Sequence, residues 1–170
     1  VGSEMCIRDR NTTAGLTYTV TASWNAVSDT STPFEIVPAG TDHFTVEVPD
    51  TDQTAGVPFQ ITVTAYDAYD NVNNLLDGDE AVAYSGPSNA DVVGTAPDFP
   101  AVTTFTDGVA TVTVTLYKAE TAYITATLGT ATGTSDGVTV VAADLAFYRV
   151  TYDLDPAVVE ENHEFGVTCL

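Results

Sequence analysis

Basic residues are almost missing from this chain. Lys and Arg together number 4 in 170 residues, against 24 Asp and Glu, giving a formal charge of −20 and a pI near 4.1. Nucleic acid and anionic lipid are bound by neutralising phosphate with Lys and Arg, so neither suits this surface as a partner. Cysteine is scarce as well. Cys6 and Cys169 lie near opposite ends, and no disulfide can form within residues 11–168. No run of about 18 apolar residues occurs, so this segment carries no membrane-spanning helix. It shows no secretory apolar region at its N-terminus, no Met at position 1, and no helical periodicity with caps.

What is present is strand chemistry. Hydrophobic residues make up 44% of the chain, enough to build a core. They are mostly Val and Ala, followed by Tyr, Leu and Phe, with Thr abundant, and branched or aromatic side chains fit a half-buried pleated surface. Apolar and polar residues alternate strictly through Phe44–Val48, Phe59–Ala65, Ala110–Leu116 and Ala122–Leu128. A period of two sends successive side chains to opposite faces, so each segment reads as a strand with one buried face. Turn-forming clusters lie between them at Asp50–Asp52, Asp67–Gly78, Ser85–Asn89 and Asp107–Gly108. The expected strands are 43–48, 58–66, 80–85, 90–94, 102–105, 109–117, 121–128 and 136–142. Short strands separated by turn signals imply an all-β antiparallel sandwich.

The chain also repeats itself. Shifted by 104 positions, Val20-Thr21-Ala22-Ser23 falls on Ile124-Thr125-Ala126-Thr127, and Phe44 and Val46 fall on Tyr148 and Val150. Ile61-Thr62-Val63-Thr64 falls on Phe165-Gly166-Val167-Thr168. Inward positions meet inward positions, and a one-residue slip would reverse every face. A period near 100 residues is the size of an immunoglobulin-type sandwich. The expected organisation is one complete unit at 41–143. Residues 11–40 would be the last strands of a preceding unit, and 144–170 the first strands of a following one. The partial units would then expose half a core. Residues 1–10, VGSEMCIRDR, hold the sole Met and two of the four basic residues. They resemble translated adapter read-through, found at the ends of genes assembled from short-read environmental DNA, and are set aside from fold reasoning.

Three motifs carry a family resemblance. Ala55-Gly56-Val57-Pro58-Phe59-Gln60-Ile61-Thr62-Val63-Thr64-Ala65-Tyr66-Asp67 through Asn71 resembles the opening of bacterial immunoglobulin-like repeats of the intimin and invasin type. Phe105-Thr106-Asp107-Gly108-Val109-Ala110-Thr111-Val112 resembles their internal hairpin, and Thr121–Thr127 their penultimate strand. The resemblance implies a tandem immunoglobulin-like sandwich from a large bacterial surface or secreted protein. One departure concerns the tyrosine corner. Tyr18 occupies that position in the first partial unit, whereas Ala122 stands there in the complete one and the tyrosine is displaced to 123.

No converging catalytic set emerges. His43 and His163 do not correspond under the repeat and read as exposed strand-edge residues, and no Gly-rich phosphate loop occurs. The one concentrated cluster follows the second strand: Asp67, Asp70, Asn71, Asp77 and Asp79, with Asn73, Asn74 and Glu80. Hard oxygen ligands on a loop suit Ca²⁺, the one cofactor the chain suggests. EF-hand spacing is absent, since its third position is Tyr69. The resemblance equally explains Asp67 and Asn71 as turn formers. Asp42, Asp50, Asp52 and Asp136 form a second acidic candidate at a junction between units. Tyr66 and Tyr69 could present an aromatic platform to sugars, whereas Tyr84 and Phe99 read as core. Trp24 reads as core of the preceding unit and Cys169 as a buried thiol. Asn11-Thr12-Thr13 is a glycosylation sequon of little weight in a bacterial protein.

The leading expectation is a non-enzymatic spacer in an extracellular or cell-surface adhesin-like protein. Its partners would be the neighbouring repeats, with any glycan or host-surface ligand met through another domain. The alternatives are a carbohydrate- or receptor-binding module attached to a secreted hydrolase, and a Ca²⁺-stabilised repeat.

Overall fold

The computed structural model describes residues 13–91, 94–144, 148–151 and 166–169, the last two segments as backbone. Readings made for residues 1–12, for His163 and for the side chain of Cys169 lie outside the described residues, as does the expected exposure of a half-core after residue 144. Everything described is strand, turn or irregular chain.

Four short strands come first: β1 (Thr17–Tyr18), β2 (Thr21–Trp24), β3 (Val27–Thr30) and β4 (Phe34–Glu35). β2 pairs with β3 and β1 with β4, both antiparallel. Then follow β5 (His43–Glu47), β6 (Gln53–Thr54), β7 (Phe59–Tyr66), β8 (Gly78–Glu80), β9 (Ala83–Ser85), β10 (Thr103–Phe105), β11 (Val109–Val114), β12 (Thr121–Ala122), β13 (Thr125–Leu128), β14 (Ala131–Thr134) and β15 (Val138–Val141). A last pair, β16 (Tyr148–Thr151) and β17 (Gly166–Cys169), is antiparallel.

β5 through β15 build an immunoglobulin-like β-sandwich. The main sheet runs β11-β7-β5-β14-β13-β9, completed by β12-β15-β6 and by the β8–β10 pair. The alternation read in the sequence sets the burial. Phe59, Ile61, Val63 and Ala65 of β7 are buried, and so are Ala110, Val112 and Val114 of β11. Phe44, Val46, Phe105, Ile124, Ala126, Val138 and Val140 join them in one core. Tyr84 and Phe99 pack against that core with rings stacked at 5.2 Å. Outward positions carry Thr, and facing threonines bridge strands, as in Thr125 Oγ1 to Thr134 Oγ1 at 2.9 Å. Asp107 and Gly108 both have positive φ, 50° and 80°, the two-residue turn that suits a twisted hairpin.

Several strands differ from expectation. The expected strand 80–85 is two strands, because the chain changes partner at Ala81-Val82: β8 pairs with β10 and β9 with β13. Buried Val82 anchors that crossing. The expected 121–128 is likewise split, β12 pairing with β15 and β13 with β14. The described part of 90–94 is not strand. β6 has no alternation long enough to be read from sequence.

The 104-residue shift reappears as hydrogen-bond register. Thr17 pairs with Glu35 and Thr121 with Thr139; Trp24 pairs with Val27 and Leu128 with Ala131. Ser31 Oγ accepts from Val20 N and Ser135 Oγ from Ile124 N, each at 2.9 Å. Tyr148 pairs with Cys169 as Phe44 pairs with Ala65. The expected tyrosine corner forms at Tyr18, whose hydroxyl donates to Thr13 O at 3.2 Å. In the larger unit Ala122 is buried and Tyr123 points outward.

Two glycines offer a test of the packing. A Cβ on Gly133 would run into the Phe44 carbonyl, where β14 lies beside β5, while one on Gly40 would meet nothing within 4 Å. Gly133→Ala is expected to destabilise the sandwich by about 1–3 kcal/mol or more in chemical denaturation. Gly40→Ala should stay within about 0.5 kcal/mol of wild type.

Candidate functional site

The acidic loop after β7 is ordered by one carboxylate. Asp67 is 1% exposed. Its Oδ1 accepts from Tyr69 N at 2.9 Å, Asn71 N at 3.0 Å and Asn71 Nδ2 at 3.1 Å. Its Oδ2 accepts from Asn71 Nδ2 at 3.0 Å and from Ala39 N at 3.0 Å. The backbone closes the same turn, with Asp67 N donating to Asn71 O and Asp70 held at a φ of 61°. An aspartate bonding its own backbone two residues on is an Asx turn, so the turn-forming reading of Asp67 describes what its side chain does.

Asn71 faces two ways. Its amide nitrogen donates to Asp67, and its Oδ1 accepts from Ala14 N at 2.9 Å, 57 residues earlier. Asn73 is buried too. Its Nδ2 donates to Thr41 Oγ1 at 2.8 Å, its backbone N to Ala65 O, and its Oδ1 accepts from Leu75 N. The loop therefore grips the incoming chain at Ala14, Ala39 and Thr41.

His43 opens β5 beside this loop. Its ring stacks on Tyr66 at 5.4 Å and 10°. Nδ1 lies 3.3 Å from Asp42 Oδ2, and Nε2 lies 3.6 Å from Asp70 Oδ1. The exposed edge position expected for His43 is corrected here: β5 has β7 on one side and β14 on the other, and the side chain is half-buried. Tyr66 thus has one ring face covered, while Tyr69 is 51% exposed. Asp77 is exposed, and Asp79 Oδ1 on β8 accepts from Thr104 Oγ1 at 2.6 Å. Among the described residues no three or more of His, Cys, Asp and Glu are grouped to hold a metal ion. Asp50, Asp52 and Asp136 line a groove of about 440 Å³ with Glu47, but Asp42 lies at the other end of β5.

The residues that sequence reasoning missed are Ala14, Ala39 and Thr41. Two of them act through backbone N–H groups, which leave no mark on residue identity. Thr41 could have been suspected only from its place beside the linker.

Burial by itself would raise the Asp67 pKa. The hydrogen bonds from Ala39 N, the Asn71 side chain, Asn71 N and Tyr69 N outweigh it and bring the value down from 3.8 to about 2. A depressed carboxylate pKa contributes stability that is whole above about pH 4 and is lost as the pH falls toward 2. The Asp67 carboxyl carbon, followed by NMR, should titrate near pH 2, with amide protection at Tyr69 and Asn71 falling over the same interval. His43, Asp42 and Asp70 are the neighbouring titratable groups to follow alongside.

No protein-family profile matches this chain, and no curated protein sequence matches it. Solved structures do. The Escherichia coli adhesin FdeC is similar at 20% identity and a TM-score of 0.46, over 71% of this chain and 38% of that one. The surface-layer protein SbsC is similar in its domains 4–9, at 19% identity and a TM-score of 0.37, over 92% of this chain and 24% of that one. Its domains 1–6 give 17% identity and a TM-score of 0.37, over 92% and 25%. The sandwich assignment rests on the strand pairing and the core described above.

Proposed function

We propose that the chain is a non-enzymatic spacer segment of a bacterial extracellular, adhesin-like protein, built from immunoglobulin-like units in series. One observation carries the reading. The strands that enter the sandwich run parallel to those that leave it: β5 beside β14, with His43 level with Thr132, and β6 beside β15, with Thr54 level with Val141. A chain that enters and leaves in the same direction enters at one pole and exits at the other. The nine steps from Thr132 to Val141 span up to about 30 Å at strand rise. Had the two runs been antiparallel, both ends would share a pole and added units would hang sideways.

The N-terminal strands support the serial reading. Val20, Val27 and Phe34 are exposed, at 49%, 74% and 44%, and Trp24 is exposed with them, an apolar face at positions the repeat reads as inward. Their counterparts under the 104-residue shift, Ile124, Ala131 and Val138, are buried. This face is a core face, and the remaining strands of a preceding unit would cover it. Such a face marks an incomplete sandwich before it marks a ligand site. We accordingly take 41–143 as one complete unit, 11–40 as the end of a preceding unit and 144–170 as the start of a following one.

Small-angle X-ray scattering tests the reading. Inserting a second copy of residues 41–143 should lengthen the maximum dimension by about 30–40 Å with little change in cross-section. Growth in cross-section at constant length would contradict it.

A further inference from the structure

We propose that Asp67 and Asn71 form the socket of an inter-repeat joint, in which side chains of one sandwich hold the backbone of the unit before it and fix the angle between the two. The inference rests on the spacer reading and adds how successive units are held.

The contacts come from two separate places in the preceding chain. Asp67 Oδ2 accepts from Ala39 N in the linker, 28 residues earlier. Asn71 Oδ1 accepts from Ala14 N, in the turn just before β1. A single tether would leave the preceding strands free to swivel, whereas two anchors 25 residues apart in sequence constrain orientation as well as distance. Thr41 Oγ1, held by Asn73 Nδ2, braces the linker between the socket and β5. The socket is also preorganised by its own loop: Tyr69 N, Asn71 N and Asn71 Nδ2 fix the Asp67 carboxylate with Oδ2 facing the linker. A charged acceptor makes the stronger class of hydrogen bond. If Ala39 withdrew, Oδ2 would lose one of its two protein donors while the carboxylate stayed under the loop, and that asymmetry favours the docked state.

The recognised groups are main-chain N–H donors, so the socket reads backbone course and not side-chain identity. It therefore suits repeats that diverge in sequence but keep their fold, provided the two donor positions are not proline.

Asp67→Asn separates the joint from the turn. The amide oxygen can remain at Oδ1, where three donors converge, which places an NH₂ group against Ala39 N–H and against Asn71 Nδ2, while Asn71 Nδ2 keeps its bond to the oxygen at Oδ1. In the ¹⁵N-labelled full chain, the Ala39 and Ala14 amides should exchange slowly, and β1–β4 should tumble with β5–β15 as one body. In Asp67→Asn, Ala39 exchange should accelerate at least tenfold and the two sets should acquire separate correlation times, while the Tyr69 and Asn71 amides keep their protection. Ala39→Pro removes the donor and leaves the loop untouched, and it should give the same separation. Free-amide exchange at Ala39 in the wild-type chain would overturn the joint. So would common tumbling that persists in both variants. If the socket fails while added units still lengthen the chain, the spacer stands as a flexible string. If the socket holds and added units do not lengthen the chain, the spacer reading falls alone.

Discussion

Most of this molecule depends on β5 having a hydrogen-bonded neighbour on each side. β7 pairs with it antiparallel and β14 lies beside it in parallel. The antiparallel contact fixes register along five residue pairs, from His43↔Tyr66 to Glu47↔Thr62. That register sends Phe44 and Val46 inward beside Val63 and Ala65 and lets the core close. The parallel contact sets the direction of the leaving strands relative to the entering ones. Closing the core and passing the chain from pole to pole are thus two consequences of one strand's position. Gly133 is the steric condition for it, since the Phe44 carbonyl occupies the space a side chain would need.

The same strand brings the linker to the acidic loop. β7 runs toward the pole where β5 begins, so the turn after Tyr66 lies where the preceding chain arrives, and Asp42 N donates to Tyr66 O at 2.8 Å. A carboxylate there meets N–H donors from its own turn and from the linker together. The chain's acidity therefore covers two different situations. Most carboxylates hydrate the surface of a protein with few cations. Asp67 is buried and compensated by hydrogen bonds, and it organises the joint.

Much of the fold was legible because a period of two is a direct record of burial. The eight-residue strand Phe59–Tyr66 and the hairpin at Asp107-Gly108 stand where alternation and turn chemistry put them. The repeat was legible for the same reason, and its register recurs down to individual Ser and Thr hydrogen bonds. The change of partner at Ala81-Val82 was not legible. Inward parity continues through it, and only the choice of neighbour changes. His43 was misplaced because a short polar-flanked strand gives no sign of being paired on both sides. At the candidate site, Asp67 and Asn71 were visible as turn formers, but the backbone donors that turn a loop into a joint were not.

The distance between the two ends of the sandwich tests the account most directly. Spin labels at Gly40→Cys and Ala142→Cys, with Cys6 and Cys169 changed to serine, would report it by pulsed electron paramagnetic resonance. Both sites are exposed, and Gly40 has no neighbour to displace. Entry and exit at opposite poles require a narrow distribution centred at about 30 Å or more. A distance under about 15 Å would place both ends at one pole and contradict a unit that extends the chain.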